Sequence, residues 1–147
     1  NKSELGQGYC TLYGDMAGGY APLGDLYKME VYSLARQFNK RIGKAAVTES
    51  TLTKPPSAEL APNQKDEDSL PPYPVLDEIL RLHIEEGLDA TEITSKGHDS
   101  TIVKEVLTRL AKNEHKRWQM PPAPRVSKRA FGQGWRQPLA AHHDWRQ

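Results

Sequence analysis

The chain has 147 residues with a formal net charge of +1, and 37% of its residues are hydrophobic and 27% charged. That length suits one domain of about 100 to 150 residues, and the composition is that of a polar globular protein. The sequence contains no long apolar run, which excludes a membrane-spanning helix. The single cysteine, Cys10, excludes an internal disulfide and favours a reducing, cytoplasmic setting.

The near-neutral net charge hides a basic C-terminal end. Residues 112–147 carry eight Lys or Arg side chains against two acids, whereas acids concentrate between residues 59 and 92. Because a basic end attracts anions, a non-catalytic helical module that binds nucleic acid or another anionic partner is one alternative. The segment lacks the ordered basic face and the stacking platform that nucleic-acid binding needs. We therefore expect no nucleic-acid partner.

The first part of the chain is predicted to hold two helices separated by a glycine-rich loop. Ser3 followed by Glu4 is typical of a helix start, and Gly14 is the predicted stop. The run DMAGGYAPLGD holds too many helix breakers for regular structure, so we expect a loop that brings backbone close to a ligand. Between residues 28 and 39, apolar side chains recur at the spacing of one buried helical face: Val31, Leu34, Ala35 and Phe38.

The middle of the chain is predicted to be irregular. Residues 45–53 are rich in β-branched side chains but also contain possible cap residues, so helix and strand stay equally open there. Residues 54–74 hold six of the eleven prolines, which predicts a long loop with room for one helical turn near Ser57. Long loops inside compact domains are usually functional or disordered. We expect a mobile loop over about residues 54–74.

The last part is predicted to hold three further helices and an irregular tail. Apolar stripes predict helices over residues 75–86 and 99–110. Between them, Asp89 and Glu92 form the capping box of a short helix. Residues 121–147 have no hydrophobic period, so we expect an extended basic tail. Judged by its own residues, the chain is mostly α-helix and loop.

Three features suit a magnesium–nucleotide site, and each also has a simpler interpretation. Mg²⁺ takes one or two carboxylates and leaves its other positions to phosphate and water, but Glu4 in a first helical turn is favoured by the helix dipole in any case. Lys28 begins a helix, where a cation must reach solvent or an anion. In TKPPSAEL, prolines stiffen the segment around Lys54, Ser57 and Glu59, which suits either a loop that closes over phosphate or a solvated linker.

The basic residues near the C-terminus are equally ambiguous. His115, Lys116 and Arg117 end the last predicted helix, where cations interact favourably with the dipole, so capping and ligand binding both stay open. His142 and His143 have no His or Cys partners at metal-ligand spacing. They therefore predict no zinc site.

Taken in chain order, these motifs resemble the synthetase domain of bacterial glutamine-dependent NAD⁺ synthetases. The matching stretches are NKSE, GYCTLYGDMAGGYAPLGDLYKMEVYSLAR, TKPPSAEL, DEDSLPPY with VLD, and EHKR. The resemblance implies an α/β parent fold of the adenine-nucleotide alpha-hydrolase type, with a parallel sheet flanked by helices. It assigns residues 1–120 to the C-terminal portion of that domain, with the mobile loop inside it, and residues 121–147 to the tail.

The resemblance also implies a reaction. Family members use ATP and Mg²⁺ to adenylate the nicotinate carboxylate of deamido-NAD⁺, and ammonia made from glutamine then displaces AMP. The Ser-Gly-Gly-x-Asp-Ser phosphate loop and the Glu-Lys-Cys glutaminase triad of the family do not occur in this sequence. We therefore expect a fragment, inactive alone, whose partners are those upstream portions and further copies in a homodimer or larger homo-oligomer. Another ATP-pyrophosphatase amide ligase is the alternative.

The nucleotide-binding roles of the family map onto four residues. Glu4 resembles the magnesium-binding glutamate, and Ser57 occupies the place of a hydroxyl residue on the mobile loop near the same metal and phosphates. Lys28 matches a lysine that contacts the nucleotide. Lys54 is an implied second phosphate contact.

The roles toward the other substrate map onto three further residues. Asp15, in YGD, resembles the catalytic acid near the nicotinate or the incoming ammonia. His115 and Lys116 match the pair that reaches deamido-NAD⁺, commonly at a dimer interface. The chain departs from the family pattern at three positions of the loop and tail: Ala61, Lys65 and Trp118.

Overall fold

A computed structural model describes residues 1–57 and 61–140 of the chain. This part holds seven α-helices and one 3-10 helix, and its only β-structure is an isolated bridge between Phe131 and Trp135. The helices are α1 Lys2–Gln7, α2 Lys28–Ile42, α3 Glu49–Thr53, the 3-10 helix Asp66–Asp68, α4 Tyr73–Ile84, α5 Ala90–Ser95, α6 Ser100–Lys112 and α7 Glu114–Arg117. The prediction of a chain made mostly of helix and loop is confirmed. None of these helices is long and apolar enough to cross a membrane.

The core lies where α1, α4, α5 and α6 meet. The apolar stripes of α4 and α6 face inward as their spacing predicts, and their fully buried side chains include Leu76, Ile79, Leu80, Ile84, Val103, Val106, Leu107 and Leu110. Gly6 allows α1 to lie close to this core, because a Cβ at that position would come within 3.2 Å of Leu80 Cδ1.

The limits of α1 differ from the prediction. The helix begins at Lys2 with Asn1 as its cap, and it ends at Gln7 because Gly8 adopts a left-handed conformation with φ of 73°. The predicted cap at Ser3 and the predicted stop at Gly14 are therefore wrong. Ser3 is fully buried, and its hydroxyl bonds to other helices instead of capping its own.

The apolar stripe of α2 is not buried within the described chain, contrary to the periodicity argument. Leu34 is 47% exposed and Phe38 is 48% exposed, and α2 has no buried residue. Polar contacts from α1 and α4 hold its first turn. Among residues 1–57 and 61–140, the stripe residues Val31 and Ala35 are only partly buried. The apolar periodicity correctly predicted a helix, but periodicity does not show which partner covers the apolar face of that helix.

Within the ambiguous segment 45–53, residues Glu49–Thr53 form a helix. Thr48 caps α3 through its side chain, which accepts a hydrogen bond from the Thr51 nitrogen. In the described part of the 54–74 loop, the Asp66 nitrogen donates to the Pro56 carbonyl at 2.9 Å within the loop, and Leu70 is buried in the core. The predicted turn near Ser57 extends into residues 58–60, which include Glu59 and lie outside the described residues.

The described tail, residues 121–140, contains no helix, in line with its lack of period, but part of it is buried. Ala130 and Phe131 are 4% and 6% exposed. The Arg117 guanidinium lies over the rings of Phe131 and Trp135, 5.0 and 5.5 Å from their centroids. Cation–π contacts of this kind anchor the tail to α7. The predictions for His142 and His143 lie outside the described residues.

A buried charge cluster joins the tail to the start of the chain. Lys2, with no exposed side-chain surface, places its Nζ 3.0 Å from Asp25 and 3.1 Å from Glu85. The same nitrogen donates to Ser127 Oγ at 2.7 Å and to the Arg129 carbonyl at 2.9 Å. A buried ammonium needs such partners, because the low-dielectric interior penalises an unpaired charge. Although Lys2 stands beside Glu4 in NKSE, it therefore serves the fold and not the predicted site.

Candidate functional site

A cleft of about 650 Å³ opens where the end of α1 faces the 54–74 loop and α7. Four of the predicted site residues line it together: Glu4, Asp15, Ser57 and Lys116. Its other lining residues are Gly8, Tyr9, Cys10, Thr11, Gln64 and Asp66. The cleft thus gathers residues from motifs that lie far apart in the sequence.

A second cavity, of about 280 Å³, shares two carboxylate residues with the cleft: Glu4 and Asp15. The glycine-rich loop and the residues after α7 line it with side chains that include Met16, Tyr20, Leu23 and Met120. The loop that is expected to bring backbone close to a ligand thus borders this cavity. The two cavities meet at the shared acids.

Glu4 is an oxygen acceptor on the wall of the cleft. Its Oε1 accepts a hydrogen bond from Lys28 Nζ at 2.7 Å. Burial opposes ionisation of the Glu4 carboxyl, whereas the hydrogen bond and the positive charge of Lys28 favour it.

Lys28 is held beside the cleft by contacts at its charged end. In addition to Glu4, its ammonium lies 5.2 Å from the centroid of the Tyr73 ring and 5.8 Å from that of Tyr32. The side chain is 17% exposed. The anion expected at the start of α2 is therefore Glu4, a carboxylate of the protein, and the aromatic faces restrict the ammonium further.

Tyr73 and Asp66 connect Lys28 to the 54–74 loop, and the sequence alone assigned no role to Tyr73. The Tyr73 hydroxyl donates to Asp66 Oδ2 at 2.6 Å. Burial and this hydrogen bond raise the pKa of Tyr73, so the phenol stays protonated as a donor. The signal was present in DEDSLPPY, where an acid precedes an aromatic residue by seven positions, but an aromatic residue at a helix start is easily taken for core alone.

Asp15 and Lys116 lie far apart in the sequence but line the same cleft, and each hydrogen-bonds to the backbone there. Asp15 is exposed, and its Oδ1 accepts from the Thr11 nitrogen at 2.6 Å. Lys116 Nζ donates to the carbonyls of Gly8 and Cys10 at 2.6 and 2.9 Å. These carbonyls follow the C-terminal end of α1, where the dipole favours a cation. Lys116 thus stabilises the end of α1, a different helix from its own.

The two remaining predicted residues lie outside the cleft lining. Lys54 borders a neighbouring surface cavity of about 340 Å³, which shares Ser57 and Gln64 with the cleft. His115 is exposed on α7, with its Nδ1 3.0 Å from the carbonyl of Lys112. Lys54 therefore lies next to the cleft, whereas His115 does not line it.

The donor atoms of the cleft suit Mg²⁺ that arrives with phosphate. Glu4 and Ser57 supply a carboxylate and a hydroxyl on one cleft, with Asp66 nearby. Across the described residues, no three His, Cys, Asp or Glu side chains are grouped to hold a metal ion by themselves. Mg²⁺ prefers oxygen ligands and keeps several positions for water and substrate phosphate. A site with few protein ligands therefore fits this ion.

Comparisons with known proteins agree with the motif resemblance. The sequence model of the NAD synthase family matches residues 1–121. The glutamine-dependent NAD(+) synthetase of Thermotoga maritima is 54% identical over 139 residues, which are 95% of this chain and 24% of that protein. The corresponding protein of Acinetobacter baylyi is 48% identical over 146 residues, 99% of this chain and 27% of that protein.

The fold has a matching solved structure as well. A crystal structure of a glutamine-dependent NAD(+) synthetase from Cytophaga hutchinsonii aligns with a TM-score of 0.68 and 24% identity, over 96% of this chain and 23% of that chain. The chain thus spans about a quarter of the length of the curated relatives it matches. On the family match and on these identities, the chain belongs to the NAD synthase family.

Proposed function

We propose that this chain is part of an enzyme that amidates deamido-NAD⁺ to NAD⁺, with ATP as the activating substrate. The meeting of Glu4, Asp15, Ser57 and Lys116 in one cleft carries the proposal. Each residue comes from a different motif, and Glu4 and Ser57 are separated by more than fifty positions. A fold that used these motifs only for helix caps would have no need to place them around one opening.

The cleft is proposed to receive the magnesium–nucleotide. Glu4 offers a carboxylate and Ser57 offers a hydroxyl, so these two residues would hold Mg²⁺. Bound Mg²⁺ would neutralise negative charge on the phosphates as a Lewis acid. Lys28 and Lys54, beside the cleft and on the loop, would add positive charge toward the same phosphates.

The second cavity, at the glycine-rich loop, is proposed to receive the nicotinate end of deamido-NAD⁺. The side chains of Met16, Leu23 and Met120 on its wall would exclude water, and an adenylated carboxylate must be shielded from hydrolysis. When ammonia attacks the acyl carbon, the bond to the AMP phosphate oxygen breaks and the attacking nitrogen loses a proton. Asp15 borders both cavities and is proposed to accept that proton. Lys116, on the cleft wall, and His115, on the same helix, would contact the dinucleotide from α7.

We further propose that the chain is completed by other parts of a longer polypeptide. The uncovered apolar stripe of α2 supports this, because exposed stripes of this kind mark interaction surfaces. The other parts would supply the parallel sheet of the α/β parent fold, the phosphate loop and an ammonia source that uses glutamine. The complete enzyme is proposed to act as a homodimer or larger homo-oligomer.

The reaction itself provides the test. The full-length polypeptide that the gene encodes should convert deamido-NAD⁺, ATP and ammonia, with Mg²⁺, into NAD⁺, AMP and pyrophosphate in equal amounts. The same assay with xanthosine monophosphate or aspartate as the carbonyl substrate tests the rival amide ligases. Amidation of one of these while deamido-NAD⁺ is ignored would overturn the proposal. A response only to RNA or DNA, falling steeply as salt rises, would favour the non-catalytic alternative.

A further inference from the structure

The first turn of α2 is capped from two other helices. Its own N-cap residue, Tyr27, makes no side-chain cap hydrogen bond. Instead, Ser3 Oγ accepts from the Lys28 nitrogen at 2.9 Å, and Asp77 Oδ2 accepts from the Met29 nitrogen at 2.9 Å. Ser3 also donates its hydroxyl proton to Asp77 Oδ1 at 2.5 Å. One residue of α1 and one of α4 thus share the acceptor role that a single preceding residue usually fills.

The two acceptor residues are buried, and both carboxylate oxygens of Asp77 accept hydrogen bonds. Ser3 has no exposed surface, and Asp77 is 8% exposed. Burial raises the pKa of Asp77, while hydrogen bonds from Ser3 and from the Met29 nitrogen favour its ionised form. A carboxylate at this place also complements the positive end of the helix dipole. The core stripe of α4 explains the buried apolar residues around Asp77, but it does not require a carboxylate among them.

The hydrogen bonds that join Ser3 and Asp77 to the first turn of α2, here called the clamp, fix where the Lys28 side chain starts relative to Glu4. Ser3 holds the backbone of Lys28, and the next residue of the same helix, Glu4, holds its ammonium at 2.7 Å. Contacts with α1 therefore hold both the backbone and the ammonium of Lys28. Asp77, on α4, bonds to Ser3 and to the Met29 nitrogen and so holds the clamp in place. A shift of the first turn of α2 would move the ammonium away from the carboxylate.

We propose that Asp77, through Ser3 and the first turn of α2, is a positioning residue that holds the Lys28 ammonium at the nucleotide site. The inference rests on the proposed function for its effect on catalysis. Asp77 lines neither of the two cavities that meet at Glu4, so it acts through Lys28 and not on substrate. Its contribution is geometric, since displacements of about 1 Å in a catalytic site can cost about a hundredfold in rate.

A double-mutant cycle in the full-length polypeptide tests this dependence. Asp77→Ala should lower kcat for NAD⁺ formation by about tenfold to a hundredfold. In a Lys28→Met background, Asp77→Ala should cost almost nothing more, because the group it positions is gone. Asp99→Ala is the matched control: Asp99 caps α6 through the Thr101 and Ile102 nitrogens and should leave kcat unchanged. An equal loss from Asp77→Ala in both backgrounds would overturn the proposal.

A crystal structure of the Asp77→Ala variant separates this inference from the proposed function. Lys28 Nζ and Glu4 Oε1, 2.7 Å apart in the wild type, should move out of hydrogen-bond distance because the first turn of α2 loses an acceptor. An unchanged contact between these two atoms in folded Asp77→Ala would refute the positioning role. This result is obtained even if the polypeptide makes no NAD⁺, which would overturn only the proposed function.

Two further variants keep the test decisive if Asp77→Ala does not fold. Ser3→Ala removes the acceptor of the Lys28 nitrogen but leaves the bond between Asp77 and Met29. It should separate Lys28 Nζ from Glu4 Oε1 and lower kcat, as Asp77→Ala does. Asp77→Asn keeps an acceptor for the Met29 nitrogen and should retain most of the rate that is lost in Asp77→Ala. A wild-type contact between Lys28 and Glu4 together with wild-type kinetics in Ser3→Ala would contradict the proposal.

Discussion

Replacing Lys2 with methionine should destabilise the protein by about 3 kcal/mol, within the range of about 3 to 5 kcal/mol for removing one partner of a buried ion pair. Lys2 is fully buried, and its partners Asp25 and Glu85 are 1% and 10% exposed. The low end is expected because Asp25 keeps other donors: it accepts from the nitrogens of Val126 and Ser127, each at 2.8 Å. Glu85 loses its only buried cation among the described contacts.

Urea unfolding measures this cost. Lys2→Met should lower the free energy of unfolding by about 3 kcal/mol, whereas Lys40→Met, on the exposed part of α2, should change it by less than about 0.5 kcal/mol. Adding Glu85→Gln to Lys2→Met should recover part of the loss, because it removes an uncompensated buried charge. A loss below about 1 kcal/mol for Lys2→Met, or a fully additive loss in the double variant, would refute the reasoning.

Two other predictions concern stability. Burial raises the pKa of Asp25, but hydrogen bonds from Ser127 and Val126 outweigh it and hold the pKa below its usual value. The stability that this gives is therefore complete above the unfolded pKa of about 3.9 and is lost as pH falls from there through the lower folded pKa. Asp25→Asn should flatten the acid limb of stability against pH, and an unchanged limb would contradict this cause. Gly8→Ala should cost clearly more in thermal unfolding than Gly43→Ala: both glycines have positive φ, but a Cβ at Gly8 would lie 2.1 Å from Asn113, whereas Gly43 faces open space. Equal costs would show that backbone strain alone matters at Gly8.

The helices were predictable wherever local signals decide the structure. The apolar periods of α4 and α6 and the capping box of Asp89 with Glu92 all appear in the structure as the sequence indicates. Local signals failed where the partner lies far along the chain. Lys2 stands two positions before the predicted site residue Glu4, yet its charge partners are contributed by the glycine-rich loop and by the end of α4.

The candidate site was predictable mainly through its motifs. Glu4 and Ser57 have little in their local sequence to distinguish binding from capping, and only their common cleft distinguishes the two. The positions of Tyr73 and Asp77 could not be read from α4 alone, because their roles arise from contacts with Lys28 and the first turn of α2. Helix periodicity assigns such residues to a face, but it does not reveal which charged group the face meets.

The measurement that tests the account most directly is the Mg²⁺ dependence of NAD⁺ formation by the full-length polypeptide carrying Glu4→Gln. Gln keeps the size of the side chain but removes the carboxylate that faces the cleft. Glu105→Gln, on the exposed face of α6, is the matched control. We predict that Glu4→Gln lowers kcat at least about a hundredfold or requires far more Mg²⁺ for half its maximal rate, while Glu105→Gln behaves as wild type. A folded Glu4→Gln protein with wild-type rate and wild-type Mg²⁺ dependence would contradict the assignment of the cleft as the magnesium–nucleotide site.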